Sequence, residues 1–417
     1  MTEIDFASML PPLLLGDELT TAMTCLPDYD ESVKQRPASE RLMRLADIYK
    51  IFVPTSMATE IYQRLYLMTT MSLKNKGNIA SVRRMNANYT WSHGGEYHGV
   101  ATGATSATII GNSGIGKTSC IQLSISLLGN VIETDNPYHK IIPVVMVSCP
   151  FDCNYKGLLC QILISIDEIL GSDYYEKTQR SKMNAQQILG MVCQVCHLHI
   201  GTLIIDEVQM LAGATKAGST LYCMILQLIN TSCINVLLVG TSECLKFFAQ
   251  NQQIARRSVG LQYGAMDFNS DFRKLAEILY SHQYVKNESK ISENILFWLY
   301  EHTGGIPAVL SALIHDAQEI AILRGRETLG IETLTEAYSN RMQMLHGYIG
   351  NRITTSTESR HEKPKPIPPA KVPEQENKPR LPEGYRTITD MANEARYKQL
   401  DILELFRGQF SVVEVAP

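Results

Sequence analysis

The chain reads as an α/β protein with a parallel sheet at its centre and a smaller all-helical part after it. Three observations predict this. Short β-branched runs alternate with helical stretches between Ala107 and Thr241. A glycine-rich loop joins the first of those runs to the helix that follows it. After about Phe268 the strand signals stop, and four helical patterns follow one another.

Taken in order, residues 1–37 are acidic and proline-containing with no sustained period, and are expected to form an arm. Residues 38–100 form a helical and basic extension. "ASERLMRLADIYKIFVPTSMATEIYQRLYLMTTMSLK" has the pattern of two amphipathic helices broken at Val53-Pro54, because proline has no N–H to continue a helix. The core spans 101–267. "ATIIG" (107–111), "IIPVVMVSC" (141–149), "TLIIDE" (202–207) and "NVLLVGT" (235–241) are expected as buried parallel strands, since continuous apolar runs suit a sheet covered on both faces. Helical patterns at 117–128, 156–170, 184–197 and 219–230 lie between them, the sequence form of a parallel α/β sheet. Residues 268–350 give the helical lid. The linker 351–382 carries seven prolines between Pro364 and Pro382, which favours extended polyproline-II over a packed core. The tail 383–417 has a helical period with an apolar stripe through Met391, Leu400, Leu403 and Phe406. A helix tethered in this way is expected to dock a partner; folding back on the parent domain is the alternative.

Composition bounds the function classes. At 417 residues, 45% apolar and 19% charged, the chain has the make-up of a globular protein with two or three cores. A net charge of −4 argues against coating the whole molecule onto nucleic acid, while leaving room for a local basic stripe. No apolar run reaches the roughly 18 residues of a membrane span, so no membrane partner is expected. The first residues have no basic region ahead of their apolar run, unlike a secretory signal. Ten scattered cysteines suit reduced thiols better than a disulfide framework. A cytoplasmic location is the expectation.

The chemistry is concentrated in four places. Gly111-Asn112-Ser113-Gly114-Ile115-Gly116-Lys117-Thr118, followed by Ser119, matches the phosphate-loop pattern GxxxxGK[ST]. Its glycines let backbone N–H groups turn inward, and the next helix aims its positive end at the phosphates. Lys117 is expected to reach the β- and γ-phosphates of ATP, and Thr118 to hold Mg²⁺ through its hydroxyl. In "TLIIDEVQML", Asp206 is placed to hold a Mg²⁺-bound water, and Glu207 to polarise the water that attacks the γ-phosphate. In "NVLLVGTSE", Thr241 or Ser242 can set a polar group beside that water; a simple strand-end cap is the alternative. In "NQQIARRSVG", Arg256 and Arg257 follow shortly after, where oligomeric ATPases carry an arginine that reaches a neighbour's γ-phosphate; a surface salt bridge is the other possibility.

This ordered set resembles the AAA+ P-loop NTPases. "IIGNSGIGKTS", "LIIDEVQML", "LLVGTSE", "ARRSV" and "HTGGIPAVLSALI" together resemble the TnsC/TniB family of transposition regulators, relatives of MuB and IstB, over roughly residues 40–345. The resemblance implies an ATP-binding protein that assembles with itself as a hexameric ring or helical filament on double-stranded DNA, without sequence preference. It also implies a link between a target-selecting protein and the transposase, with the tail as the tether for transposase subunits. One position departs from the AAA+ pattern. The lid turn "GGIPAVL" has Ala308 where many lids carry an arginine that senses the γ-phosphate, which favours slow, switch-like hydrolysis.

Candidate DNA contacts are Lys156 in "DCNYKG", Arg180 and Lys182 in "KTQRSKMN", and Lys216 after the acidic pair. By the resemblance, the loop carrying Lys156 faces a ring's pore. Lysine contacts to phosphate give sequence-independent, salt-sensitive binding, and each of these residues could equally be a solvated surface charge. The block Lys74, Lys76, Arg83, Arg84 could serve the same purpose or form an assembly surface. "CQVCHLH" has metal-capable side chains, but its cysteines lie in an apolar helical pattern and are expected as small buried hydrophobes. Two other classes remain in view: a signalling or secretion ATPase that does not touch DNA, and a replication helicase loader.

Overall fold

The computed structural model describes residues 5–76, 106–135, 138–210, 221, 223–229, 234–244 and 258–345. All belong to one compact unit, Met1–Thr357. The linker and tail expected at 351–382 and 383–417 lie outside the described residues.

Among the described residues, six strands form one sheet: β1 (Ser106–Gly111), β2 (Ile132–Asp135), β3 (Tyr138–Ser148), β4 (Ile200–Asp206), β5 (Asn235–Gly240) and β6 (Ser258–Tyr263). Their spatial order is β2-β3-β4-β5-β1-β6, parallel throughout except for β2 against β3. β5 is thus inserted between the strand that feeds the glycine loop and the strand that ends in the acidic pair. This is the sheet order of the AAA+ P-loop NTPase fold. The strands β1, β4 and β5 are buried along their whole length because both faces are covered. Successive side chains then enter different cores. Leu203, Ile205, Val236 and Leu238 pack with α5 (Tyr155–Leu170) and α7 (Ala185–His199) on one face. Ile204, Leu237 and Val239 pack with α3 (Ser56–Lys76) and α4 (Lys117–Leu127) on the other.

The N-terminal residues pack into the α3/α4 face of the sheet and into the lid rather than forming an arm beside them. α1 (Gly16–Met23) buries Leu19 and Met23 against the α3/α4 face. After α2 (Ala38–Arg44), the chain passes Val53-Pro54 and enters α3, where Ala58, Ile61, Tyr62, Leu65 and Met68 form a helical stripe on the sheet. Thr69 and Thr202 hydroxyls meet at 3.0 Å beneath that stripe. Between α1 and α3 the chain is held by an antiparallel bridge of Cys25 with Phe52, and its Val33, Leu45, Ile48, Ile51 and Val53 belong to the core of the lid. The residues 24–55 therefore form a strap that joins the lid to the sheet.

The lid consists of α8 (Ser270–Ser281), α9 (Glu293–Thr303), α10 (Pro307–Leu323) and α11 (Ile331–Arg341). Asn269 and Ser292 side chains cap α8 and α9, and Pro307 opens α10, where its missing N–H costs nothing. Gly304 and Gly305 make the left-handed turn between α9 and α10, and a Cβ on Gly305 would run into the Met266 carbonyl. No single described helix is long and apolar enough to cross a membrane.

One ion pair ties the strap to the lid. The Arg41 guanidinium is 1% exposed and grips both carboxylate oxygens of Glu327 at 2.7 Å, while also donating to the Tyr284 carbonyl at 2.9 Å. The Arg41 hydrogen bonds to Glu327 hold that carboxyl below its ordinary 4.5. Removing one partner of such a pair leaves a charge without its counter-ion, at a cost of about 3–5 kcal/mol. Arg41→Met is expected to lower the unfolding free energy from urea titration by that order at pH 7. A carboxylate whose pKa is depressed in the folded state stabilises above its unfolded value and loses that contribution as pH falls through the folded one. The gap between wild type and Arg41→Met therefore narrows as pH drops below about 4; urea titrations across pH 7 to 3 check this.

Candidate nucleotide site

The sequence after β1 folds as a phosphate cradle because its glycines take backbone angles other residues avoid. Gly114 has φ +78° and Gly116 φ +94°, and Gly116 ends the loop as the left-handed residue before α4. No side-chain hydrogen bond caps α4, and the first N–H groups of a helix are suited to an anion. Lys117 is buried. Its Nζ donates to the Gly111 and Asn112 carbonyls, both at 2.9 Å. Burial pulls its pKa down, and the Asp206 and Glu207 carboxylates oppose that shift.

The acidic pair meets this loop from β4. Asp206, 4% exposed, accepts from the Thr118 hydroxyl at 2.9 Å through Oδ2 and from the Glu207 N–H at 2.8 Å through Oδ1. A hydroxyl and a carboxylate in contact are hard oxygen donors of the kind Mg²⁺ takes. Glu207 itself is exposed and sits at φ +59°, so the chain turns abruptly just past the strand. At the end of β5, the Thr241 Oγ1 is buried with no hydrogen-bond partner among the described residues. An orphaned hydroxyl at the rim of such a site is a place for a ligand oxygen or water. Ser242, the other hydroxyl considered there, is exposed and does not line the cavity.

These elements enclose a cavity of about 470 Å³, a size that suits a nucleotide. Ser113 through Cys120, Asp206, Glu207, Gln209, Gly240 and Thr241 line one side. Ile51, Val53 and Thr55 of the strap, with Leu275, Ala308 and Ser311 of the lid, line the other. The apolar strap-and-lid wall has the character of a base pocket, and the polar wall that of a triphosphate site. Sequence reasoning did not find the strap residues, because Val53-Pro54 reads only as a helix break. Nor did it find Gln209, which stands in plain view two residues after Glu207. Among the described lining residues, Lys117 is the single cation.

Ala308 has a different relation to the site from a phosphate sensor. Its N–H donates to the Gly114 carbonyl at 3.1 Å, and a Cβ placed on Gly114 would stand 3.2 Å from the Ala308 methyl. The lid thus rests on the phosphate loop by backbone contact, and the small residue at 308 is what lets it approach.

Two of the candidate DNA residues, Lys156 and Lys182, lie toward one edge of the sheet. α5 starts where β3 ends, with Asn154 capping it by accepting from the Lys156 and Gly157 N–H groups. α7 runs directly into the start of β4, so its beginning lies at that same carboxyl edge. Lys156 is exposed at the first end, and Lys182, exposed at φ +48°, precedes the second. Arg180 closes α6 (Tyr174–Arg180) and pairs with Glu176 one turn back. Lys74 is exposed, whereas Lys76 donates to the Cys196 and His197 carbonyls and finishes α7. Lys216, Arg83, Arg84, Arg256 and Arg257 lie outside the described residues. Cys193 and Cys196 are buried on the core side of α7, and burial pushes the Cys196 thiol well up. Burial also pushes the Cys149 and Cys244 thiols up to about 12.

The family model described as bacterial TniB protein matches residues 98–262, less than half of the chain. No curated protein matches it. Among solved structures, the Aeropyrum pernix ORC1 protein in complex with DNA is similar at 15% identity and TM-score 0.41, covering 62% of this chain and 63% of that one. The chain therefore spans less than two thirds of that protein's length. Drosophila ORC bound to DNA is similar at 11% identity and TM-score 0.45, covering 99% and 86%. The Walker-type ATPase paby2304 of Pyrococcus abyssi is similar at 10% identity and TM-score 0.36, covering 66% and 75%.

Installing the arginine that many lids carry tests the backbone contact. Ala308→Arg is expected to wedge the lid off Gly114, lowering the melting temperature by several degrees and weakening binding of a fluorescent ATP analogue about tenfold. Tighter binding and faster hydrolysis would instead mean that the position is a vacant sensor.

Proposed function

We propose that this protein is an ATP-dependent, DNA-binding regulator of transposition that works as an oligomer. The observation that carries the proposal is the composition of the site: a phosphate loop, a Thr118–Asp206 pair, Glu207 on an exposed turn beside them, and Lys117 as its lone described cation. A triphosphate carries roughly four negative charges, of which Lys117 and a bound Mg²⁺ together would balance about three. Arg256 or Arg257 of a neighbouring subunit is proposed to supply the remainder, so that bound ATP cements two copies together. The match to the TniB model over 98–262 supports placing this ATPase in transposition.

In the proposed reaction Lys117 leaves the Gly111 and Asn112 carbonyls for the β- and γ-phosphate oxygens. The amides of 113–119 hold the phosphate chain, with Ser113, Ile115 and Ser119 as part of the cradle. Thr118 and Asp206 fit Mg²⁺, which supplies charge neutralisation at the phosphates when bound. Glu207 takes a proton from the water whose oxygen attacks the γ-phosphorus, and the bond to the β-phosphate oxygen breaks to give ADP and phosphate. Thr241 offers its unpaired hydroxyl to that water or to the γ-phosphate. With Ala308 holding the loop through its backbone and no arginine in that place, turnover is proposed to be slow, so that ATP acts as a latch between subunits and hydrolysis opens it.

Double-stranded DNA is proposed to run along the edge that carries Lys156, Arg180 and Lys182, with Lys216 from the loop beyond the acidic pair. Target-selector and transposase contacts, the latter through the 383–417 tail, complete the proposal. It is tested by electron microscopy of the full chain with a non-hydrolysable ATP analogue, with and without duplex DNA. DNA-templated rings or filaments are expected; ATP-dependent assembly that ignores DNA would favour a signalling or secretion ATPase. Replacing Lys156, Arg180 and Lys182 by Gln is expected to flatten the slope of log affinity against log salt by about one unit per lost phosphate contact. Steady-state hydrolysis at many turnovers per second would contradict the latch.

A further inference from the structure

We infer that Gln209 is the positioning residue for Glu207, fixing the carboxylate of the proposed base to the tip of β5. The inference rests on the assignment of Glu207 as that base. Glu207, Val208, Gln209 and Met210 form a turn closed by the Met210 N–H on the Glu207 carbonyl at 3.1 Å. The Val208 N–H fastens this turn to the Val239 carbonyl at 3.0 Å. From it the Gln209 side chain reaches in two directions. Its Oε1 accepts from the Thr241 N–H at 3.1 Å, and its Nε2 donates to the Glu207 Oε2.

Chemistry allows only one orientation of that amide. The Thr241 N–H can only donate and so must face the oxygen, and the Glu207 carboxylate can only accept and so must face the NH₂. Room for the bridge comes from Gly240. A Cβ there would stand 3.0 Å from the Gln209 Oε1 and 2.9 Å from the Val208 Cγ2. The side chain is therefore seated in a prepared gap, with both ends satisfied.

The consequence is mechanical coupling within the site. Glu207 stands on an exposed turn and has no other side-chain tether among the described residues, so its carboxylate stays where Gln209 keeps it. Thr241 presents its backbone to Gln209 and its unpaired hydroxyl to the cavity. Any ligand that moves the tip of β5 moves the base with it. A base held by a third group gains in rate through orientation, while the phosphate-binding groups are untouched.

The test uses the full chain as wild type, Gln209→Met, Gln209→Glu, Glu207→Gln and the double variant Gln209→Met with Glu207→Gln. Methionine keeps the length and volume but removes both hydrogen bonds. Glutamate keeps the shape but loses the donor. Both single Gln209 variants are expected to lower kcat about 10- to 100-fold and to leave affinity for a fluorescent ATP analogue within about twofold. Gln209→Met should also speed amide hydrogen exchange at Thr241, a readout independent of turnover. In the Glu207→Gln background it should remove nothing further, because the two residues act as one unit. The inference is overturned if both Gln209 variants keep wild-type kcat, if the two losses simply multiply, or if analogue affinity falls together with kcat. Turnover that survives in Glu207→Gln alone overturns the base assignment itself, which separates the two failures.

Discussion

The hydrogen bond between the Thr118 hydroxyl and the Asp206 carboxylate is the contact on which the rest of this molecule depends. It joins groups 88 residues apart in sequence, one at the start of α4 and one at the end of β4. Asp206 is buried, and an ionised carboxylate in that position is tolerable only with donors around it. Thr118 and the Glu207 N–H are those donors. Bringing them together depends on the parallel registers of β4 and β1 on either side of β5, which pair Ile205 with Leu238 and Ile109 with Val239. The sheet can thus be regarded as the frame that holds one hydroxyl against one acid.

Around that frame the cavity is closed by two elements that come from opposite ends of the described chain. The strap 24–55 and the lid share one apolar core, and the Arg41–Glu327 pair locks them together. The lid then meets the phosphate loop through the Ala308 N–H and the Gly114 carbonyl. Nucleotide site, strap and lid therefore form a closed loop of contacts. A displacement at Gly114 is transmitted to α10 directly, since two backbone groups and a methyl leave no flexible side chain to absorb it.

Much of this was legible in the residues. The glycines and lysine of the phosphate loop, the Asp206-Glu207 pair and the four apolar strands announce themselves because each states a local requirement: a left-handed turn, a charge at a strand end, a side chain buried on either face. β6 escaped notice although Val259, Leu261 and Tyr263 alternate along "SVGLQY", because so short a run with a central glycine is a weak strand signal; its order comes from pairing with β1 along Ser106–Gly111. β2, "IETD", is ordered likewise by its antiparallel partner. The first 37 residues look like an arm, yet Leu19 and Met23 are buried, since their partners lie on α3 and α4 far along the chain.

By itself, then, the sequence determined the phosphate loop, the acidic pair, the parallel core and the helical lid, all encoded in short windows where periodicity and backbone preference suffice. Only the tertiary structure decided what surrounds them. It put Ile51, Val53 and Thr55 on the wall of the cavity, left the Thr241 Oγ1 unpaired at its rim, and brought the Ala308 N–H against the Gly114 carbonyl. It also gave Gln209 two partners on different sides of one turn. Each of these depends on which atoms are left unpaired once distant segments have packed, and pairing across space has no signature in any window of adjacent residues.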